Sequence, residues 1–95
     1  MTSELEKLYP EVDKFAKFMR RELWENRHKG DRGVWINIPP ETWSSEIAWH
    51  LVKMMAAIKD SNYEKVREHA ADIANGAMMC IDGLGLLEGQ GGGSA

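Results

Sequence analysis

Three stretches of this chain repeat apolar residues at steps of three and four, the signature of one helix face. The one extended candidate, Val34 to Ile38, has no partner strand and reads as loop. The first stretch runs through Leu5, Leu8, Val12, Phe15, Met19 and Leu23. Pro10 opens its main helix or kinks a longer one. The charged run "RRELWENRHK" carries that helix to Lys29, where Gly30 is a natural stop.

The second helix is predicted from Pro40 to Lys59, with Pro40 and Glu41 suiting a first turn. Ser61 and Glu64 have capping-box spacing and open a third helix. Its stripe is Val66, Ala70, Ile73, Ala77, Ile81 and Leu84, and it ends between Gly83 and Gly85. Gly76 inside it costs about 1 kcal/mol relative to Ala. The expected fold is therefore all-α: an antiparallel bundle of three main helices, with residues 30–40 as loop. It forms one domain over residues 1–87, followed by a Gly/Ser-rich tail over 88–95.

With 95 residues, such a domain is marginal alone, and a partner or a second copy in a homodimer would stabilise it. The net charge of −3 argues against nucleic acid as the main ligand. Cys80 is the single cysteine, so no internal disulfide forms; it reads as a small buried hydrophobe. No apolar run spans a bilayer, and "MTSELEKLYPEV" lacks the apolar centre of a signal peptide. The expected location is cytoplasmic, or the chain is recombinant, as its tail suggests.

The second helix is apolar on two sides. Trp43, Ile47, Leu51, Met54 and Ile58 form a core stripe, and Thr42, Glu46, His50 and Lys53 a narrow polar face. Trp49 lies roughly 160° from the centre of the core stripe, among Ser45, Val52 and Ala56. A helix apolar nearly all round is buried on more than one side, or meets another chain.

Two motifs, "ENRHKGD" at 25–31 and "EHAADIANGAMMCIDGLG" at 68–85, resemble those of the MazG-like nucleoside triphosphate pyrophosphohydrolases, over roughly residues 10 to 87. That resemblance implies an all-α fold, a tendency to dimerise, and acids that hold Mg²⁺ against a triphosphate for attack by water. The family signature is E-E-x-x-E followed by E-x-x-D. Here those positions carry Trp49, His50, Lys53, His69 and Asp72, so only Asp72 remains as a residual metal acid beside His69.

This replacement points to an engineered protein-binding module on a MazG-like scaffold. Trp49 would be the anchor, with His50 and Lys53 meeting acidic or polar groups such as those of an enzyme cleft. Glu46, Trp35 and Trp43 would flank it. For Trp43 core packing is the favoured role, and for Trp35 folding onto the bundle is equally open. That reading needs no cofactor and no catalytic residue. The alternative is a pyrophosphohydrolase with an altered site, in which Glu46, Glu68 and Asp72 hold Mg²⁺. A third arrangement is a two-His, one-carboxylate metal set of His50, His69 and Asp72, although His69 reads first as a solvated or hydrogen-bonded helix residue.

Overall fold

The computed structural model describes residue 4 and residues 7–88. Leu5 of the predicted first stripe, and the predicted tail beyond Glu88, lie outside the described residues. The described chain is helical, without strands. Its elements are α1 (Pro10–Glu25), a 3₁₀ turn (Arg27–Lys29), α2 (Arg32–Trp35), α3 (Pro40–Lys59) and α4 (Tyr63–Gly83).

The element boundaries have local causes. Pro10 and Pro40 stand in the first turns of α1 and α3, where the missing N–H costs no helix hydrogen bond. α1 ends at Glu25, four residues short of the predicted last residue, Lys29. There the backbone N–H and side-chain amide of Asn26 both donate to the Glu22 carbonyl, at 3.0 and 2.9 Å. The Arg27 guanidinium takes the Trp24 carbonyl at 2.7 Å. With those carbonyls satisfied, the chain tightens into the 3₁₀ turn.

The region expected as loop contains α2. Asp31 caps it, its side chain accepting from the Gly33 N–H at 3.0 Å. The predicted cap of the last helix is also displaced by one residue. Asn62 caps α4, with its side chain accepting from the Lys65 N–H, and Ser61 closes α3 instead. Ser61 stands at φ 56, and the Asn62 and Ser61 N–H groups donate to the carbonyls of Ala57 and Ile58. That is a Schellman stop. Gly85, at φ 75, repeats it after α4, with Leu86 and Gly85 donating to Ile81 and Asp82.

α4 is the helix on which α1 and α3 both pack. The contacts 47 to 76, 50 to 69 and 57 to 62 run in opposite sequence directions, so α3 and α4 form an antiparallel hairpin. A Cβ at Gly76 would stand 3.0 Å from Ile47 Cγ1, so glycine there lets the two helices approach closely. The molecule is 22 Å in its thinnest dimension, room for about two helix diameters.

The faces buried differ from those predicted. α3 turns Trp43, Ile47, His50, Met54 and Ala57 inward and leaves Leu51 and Ile58 exposed. His50 therefore belongs to the packed face and not to a solvated polar one. α4 buries His69, Ala71, Asn75, Gly76 and Asp82, while Ala77, Ile81 and Leu84 of its predicted stripe are exposed. Three of the five are polar, and buried polar groups mark a site more often than a core. Cys80 is half-buried.

Candidate metal site beside an aromatic cleft

A cleft of about 690 Å³ opens between α1, the 27–35 region, α3 and α4. Trp24, Trp35 and Trp43 line it, as do Arg20, Arg27, Lys29 and Arg32. Its wall at α2 is pinned by a clasp. The Asp82 carboxylate accepts from Arg32 Nε at 2.8 Å, Arg32 Nη2 at 2.9 Å and Trp35 Nε1 at 3.2 Å. Asp82 is only 6% exposed, and these donors hold its carboxyl below the usual range, the Arg32 bonds contributing most.

Acids and imidazoles meet where α1, α3 and α4 converge. Glu22, Glu68 and Asp72 each bring a carboxylate oxygen within 4.8 Å of the others. His50, His69 and Asp72 form a second such group, so Asp72 belongs to both. Helix geometry explains the convergence: 68 and 69 each stand one turn before 72 on α4, 50 faces 69 and 72 from α3, and 22 faces 68 and 72 from α1.

The electrostatics are those of crowded like charges with one counter-charge, the Lys65 ammonium standing 3.2 Å from Glu68 Oε1. Burial pushes the Glu22 carboxyl up to about 7, and the neighbouring charges of Asp72 and Glu68 add to the effect. Burial lowers His69, which outweighs the opposing pull of Glu68, so its imidazole is neutral at physiological pH. A hard divalent cation fits the three carboxylates, because it replaces their mutual repulsion with attraction.

Two polar atoms of cleft-lining residues are buried without a partner among the described residues, Trp43 Nε1 and Asn75 Oδ1. The Asn75 amide itself donates to the Met19 carbonyl at 3.0 Å, which ties α4 to α1. An unpaired buried donor and acceptor are costly unless something meets them.

The sequence-predicted residues divide between two places. Trp35, Trp43, Glu46, His50 and Asp72 line the cleft, and His69 is buried beside His50 and Asp72. Trp49 and Lys53 do not line it. They stand on the outer side of α3, with the Lys53 ammonium 4.6 Å above the centre of the Trp49 indole and that indole 55% exposed. Glu46 is not in the carboxylate group; Glu22 from α1 takes that place. The charged run around Glu22 reads as a solvated face, which hides this acid. The signal that finds it is its position three residues after Met19 and four after Phe18, on the packed side of α1.

None of the described helices is long and apolar enough to cross a membrane. Known protein families, curated proteins and solved structures offer no match to this chain.

Proposed function

We propose that the chain hydrolyses the phosphoanhydride of a nucleoside triphosphate with the help of a divalent metal ion, as its MazG-like resemblance implies. The observation that carries this reading is the group of Glu22, Glu68 and Asp72, with the Glu22 carboxyl raised to about 7 by burial and by its acidic neighbours. Those three carboxylates are the residues that would hold Mg²⁺ or Mn²⁺, supplying charge neutralisation at the phosphates.

The chain's own groups suit the rest of such a substrate. Arg20, Arg27 and Lys29 place positive charge on the cleft wall for a polyphosphate. The indoles of Trp24, Trp35 and Trp43 offer flat apolar surface for a base. The unpaired Trp43 Nε1 donor and Asn75 Oδ1 acceptor are available to fix orientation. Four acids are lost in the family register, at Trp49, His50, Lys53 and His69, and this reading sets Glu22, reached from another helix, and Glu68 beside Asp72 in place of them.

The test is incubation of the purified chain with each nucleoside and deoxynucleoside triphosphate in Mg²⁺ or Mn²⁺, following pyrophosphate release. Turnover that disappears in Asp72→Ala and in Glu22→Gln supports the reading. No release with any triphosphate, or release indifferent to both substitutions, sinks it.

A second reading keeps the engineered protein-binding module. It rests on Trp49 and Lys53, exposed together on the outer side of α3 beside the exposed Val52 and Met55. The partner would be a protein with acidic or polar groups facing Lys53. Calorimetric titration of a candidate partner against Trp49→Ala and Lys53→Ala decides it, and unchanged affinity in both removes it.

A further inference from the structure

We propose that His50, His69 and Asp72 form a metal site distinct from the all-carboxylate group, taking a borderline transition metal such as Zn²⁺ or Co²⁺ in preference to Mg²⁺. The proposal does not depend on the hydrolytic reading, since it concerns which ion the chain binds and not what the chain turns over.

The geometry is that of three ligand atoms around one point. His50 Nδ1 and His69 Nδ1 are 3.2 Å apart. Asp72 Oδ2 is 3.4 Å from the first and 3.7 Å from the second. These edges define a triangle whose centre lies about 2.0 Å from all three atoms, the length of a zinc–imidazole or zinc–carboxylate bond. Their mean is close to the edge of a tetrahedron built on bonds of about 2.1 Å. The three atoms thus form one face of a tetrahedral shell.

The surroundings suit such a site. The side chains are 23%, 11% and 16% exposed for His50, His69 and Asp72, so the point is largely shielded from water. His50 and Asp72 line the cleft, leaving a direction for a fourth ligand, as catalytic zinc sites have. Among the described residues the two Nδ1 atoms hydrogen-bond to each other, and both face the Asp72 carboxylate at ion-pair distance. A hydrogen bond between them needs one ring as donor and the other as acceptor, whereas a cation takes a lone pair from both.

Ligand type sets the selectivity. Mg²⁺ demands hard oxygen ligands and gives up its water reluctantly, whereas two imidazole nitrogens and one carboxylate suit Zn²⁺ and Co²⁺. Glu22 and Glu68 supply only oxygen on the other side of Asp72. The shared Asp72 therefore separates a nitrogen-rich position from an oxygen-only one.

The experiment is titration of the full, chelator-stripped chain with Co²⁺ alone, followed by visible ligand-field absorption. The expected result is one equivalent of Co²⁺ with intense bands of four-coordinate character, displaced by Zn²⁺ and not by excess Mg²⁺. His50→Ala and His69→Ala, checked for helicity by circular dichroism, should each weaken binding at least tenfold and abolish those bands, while Glu22→Gln keeps them. A measurement on the unaltered chain covers the event that a variant misfolds. On Zn²⁺ addition, the ring-nitrogen resonances of His50 and His69 should shift and those of His28 should not. No Co²⁺ binding, bands that persist in both folded histidine variants, or ring resonances unmoved by Zn²⁺ would overturn the proposal.

Discussion

Glu22 on α1 and Asp72 on α4 bring carboxylate oxygens within 4.8 Å of each other across 50 residues of chain, with Glu68 beside them. Folding thus gathers negative charge that the unfolded chain keeps apart, and the Glu22 carboxyl responds by rising to about 7. The sign of the consequence follows from proton counting. Between the ordinary Glu range and pH 7 the folded chain holds a proton that the unfolded chain has released, so stability falls as pH rises through that window. Glu22→Gln removes the effect. Without metal, the variant should be more stable than the parent at pH 8 by about 1–2 kcal/mol, once partial solvent exposure is allowed for, and nearly equal to it at pH 5. Adding Mn²⁺ should raise the parent's melting temperature and leave the variant's almost unmoved. Melting curves at both pH values, with and without Mn²⁺, check both halves. A metal-free variant less stable at pH 8 contradicts the first.

The clasp at Asp82 has the opposite pH dependence. Its carboxyl is held below the usual range by Arg32 first and then by Trp35. Its contribution is therefore complete at neutral pH and lost as pH falls through the lowered value, below about pH 4. Asp82→Asn should lower the melting temperature by several degrees at pH 7 and cost progressively less toward pH 3. Asn keeps the shape but forfeits the charge that both guanidinium bonds use. Tryptophan emission should shift in the same variant, because Trp35 Nε1 then faces a neutral amide instead of a carboxylate, whereas Trp35→Phe should abolish that shift.

Ser61 gives a test of the backbone alone. It occupies the left-handed region at φ 56, where the corresponding position after α4 is Gly85. A left-handed non-glycine residue costs about 1–2 kcal/mol, and glycine returns about 0.5–1 kcal/mol of that to unfolded-chain entropy. Ser61→Gly should therefore stabilise the chain by about 0.5–1 kcal/mol in denaturant unfolding, with an unchanged m-value. A loss of stability would mean that the hydroxyl matters more than the backbone at this turn.

How much of this was legible depends on which physics left a local trace. The all-helical class and the limits of α3 follow from helical apolar periodicity and from Pro40, signals that sit within one turn of each other. The rotation of α3 that carries His50 inward leaves no such trace, because Leu51 is the more apolar neighbour and the hydrophobic pattern selects it. On α4 the same preference selects Ile81 and Leu84 over Asp82, yet Asp82 is buried because Arg32 and Trp35 satisfy it from 50 and 47 residues away. Glu22 was hidden for the converse reason. It lies in a run of charges whose solvated members outnumber it, and its partners Glu68 and Asp72 come from another helix. Single acids become a site only through packing that periodicity does not encode.

Trp49 and Trp43 separate what α3 contributes to the fold from what it offers to the outside. Trp43 is half-buried with its Nε1 out of reach of water, whereas Trp49 is mostly exposed and holds the Lys53 ammonium over its ring. An exposed cation–π pair contributes about 0.5–1 kcal/mol at most. Trp49→Ala should therefore cost less than about 1 kcal/mol, while Trp43→Ala should cost about 2–3 kcal/mol through lost packing against the cleft wall. If Trp49 meets a second copy of the chain, the parent's melting temperature rises with protein concentration and that of Trp49→Ala does not. If it meets no copy, both curves are flat, and the exposed indole is left for a different protein. Denaturant unfolding of the two variants, together with melting curves over a wide concentration range, distinguishes these outcomes. A large stability loss in Trp49→Ala at every concentration would show instead that the indole packs within its own chain.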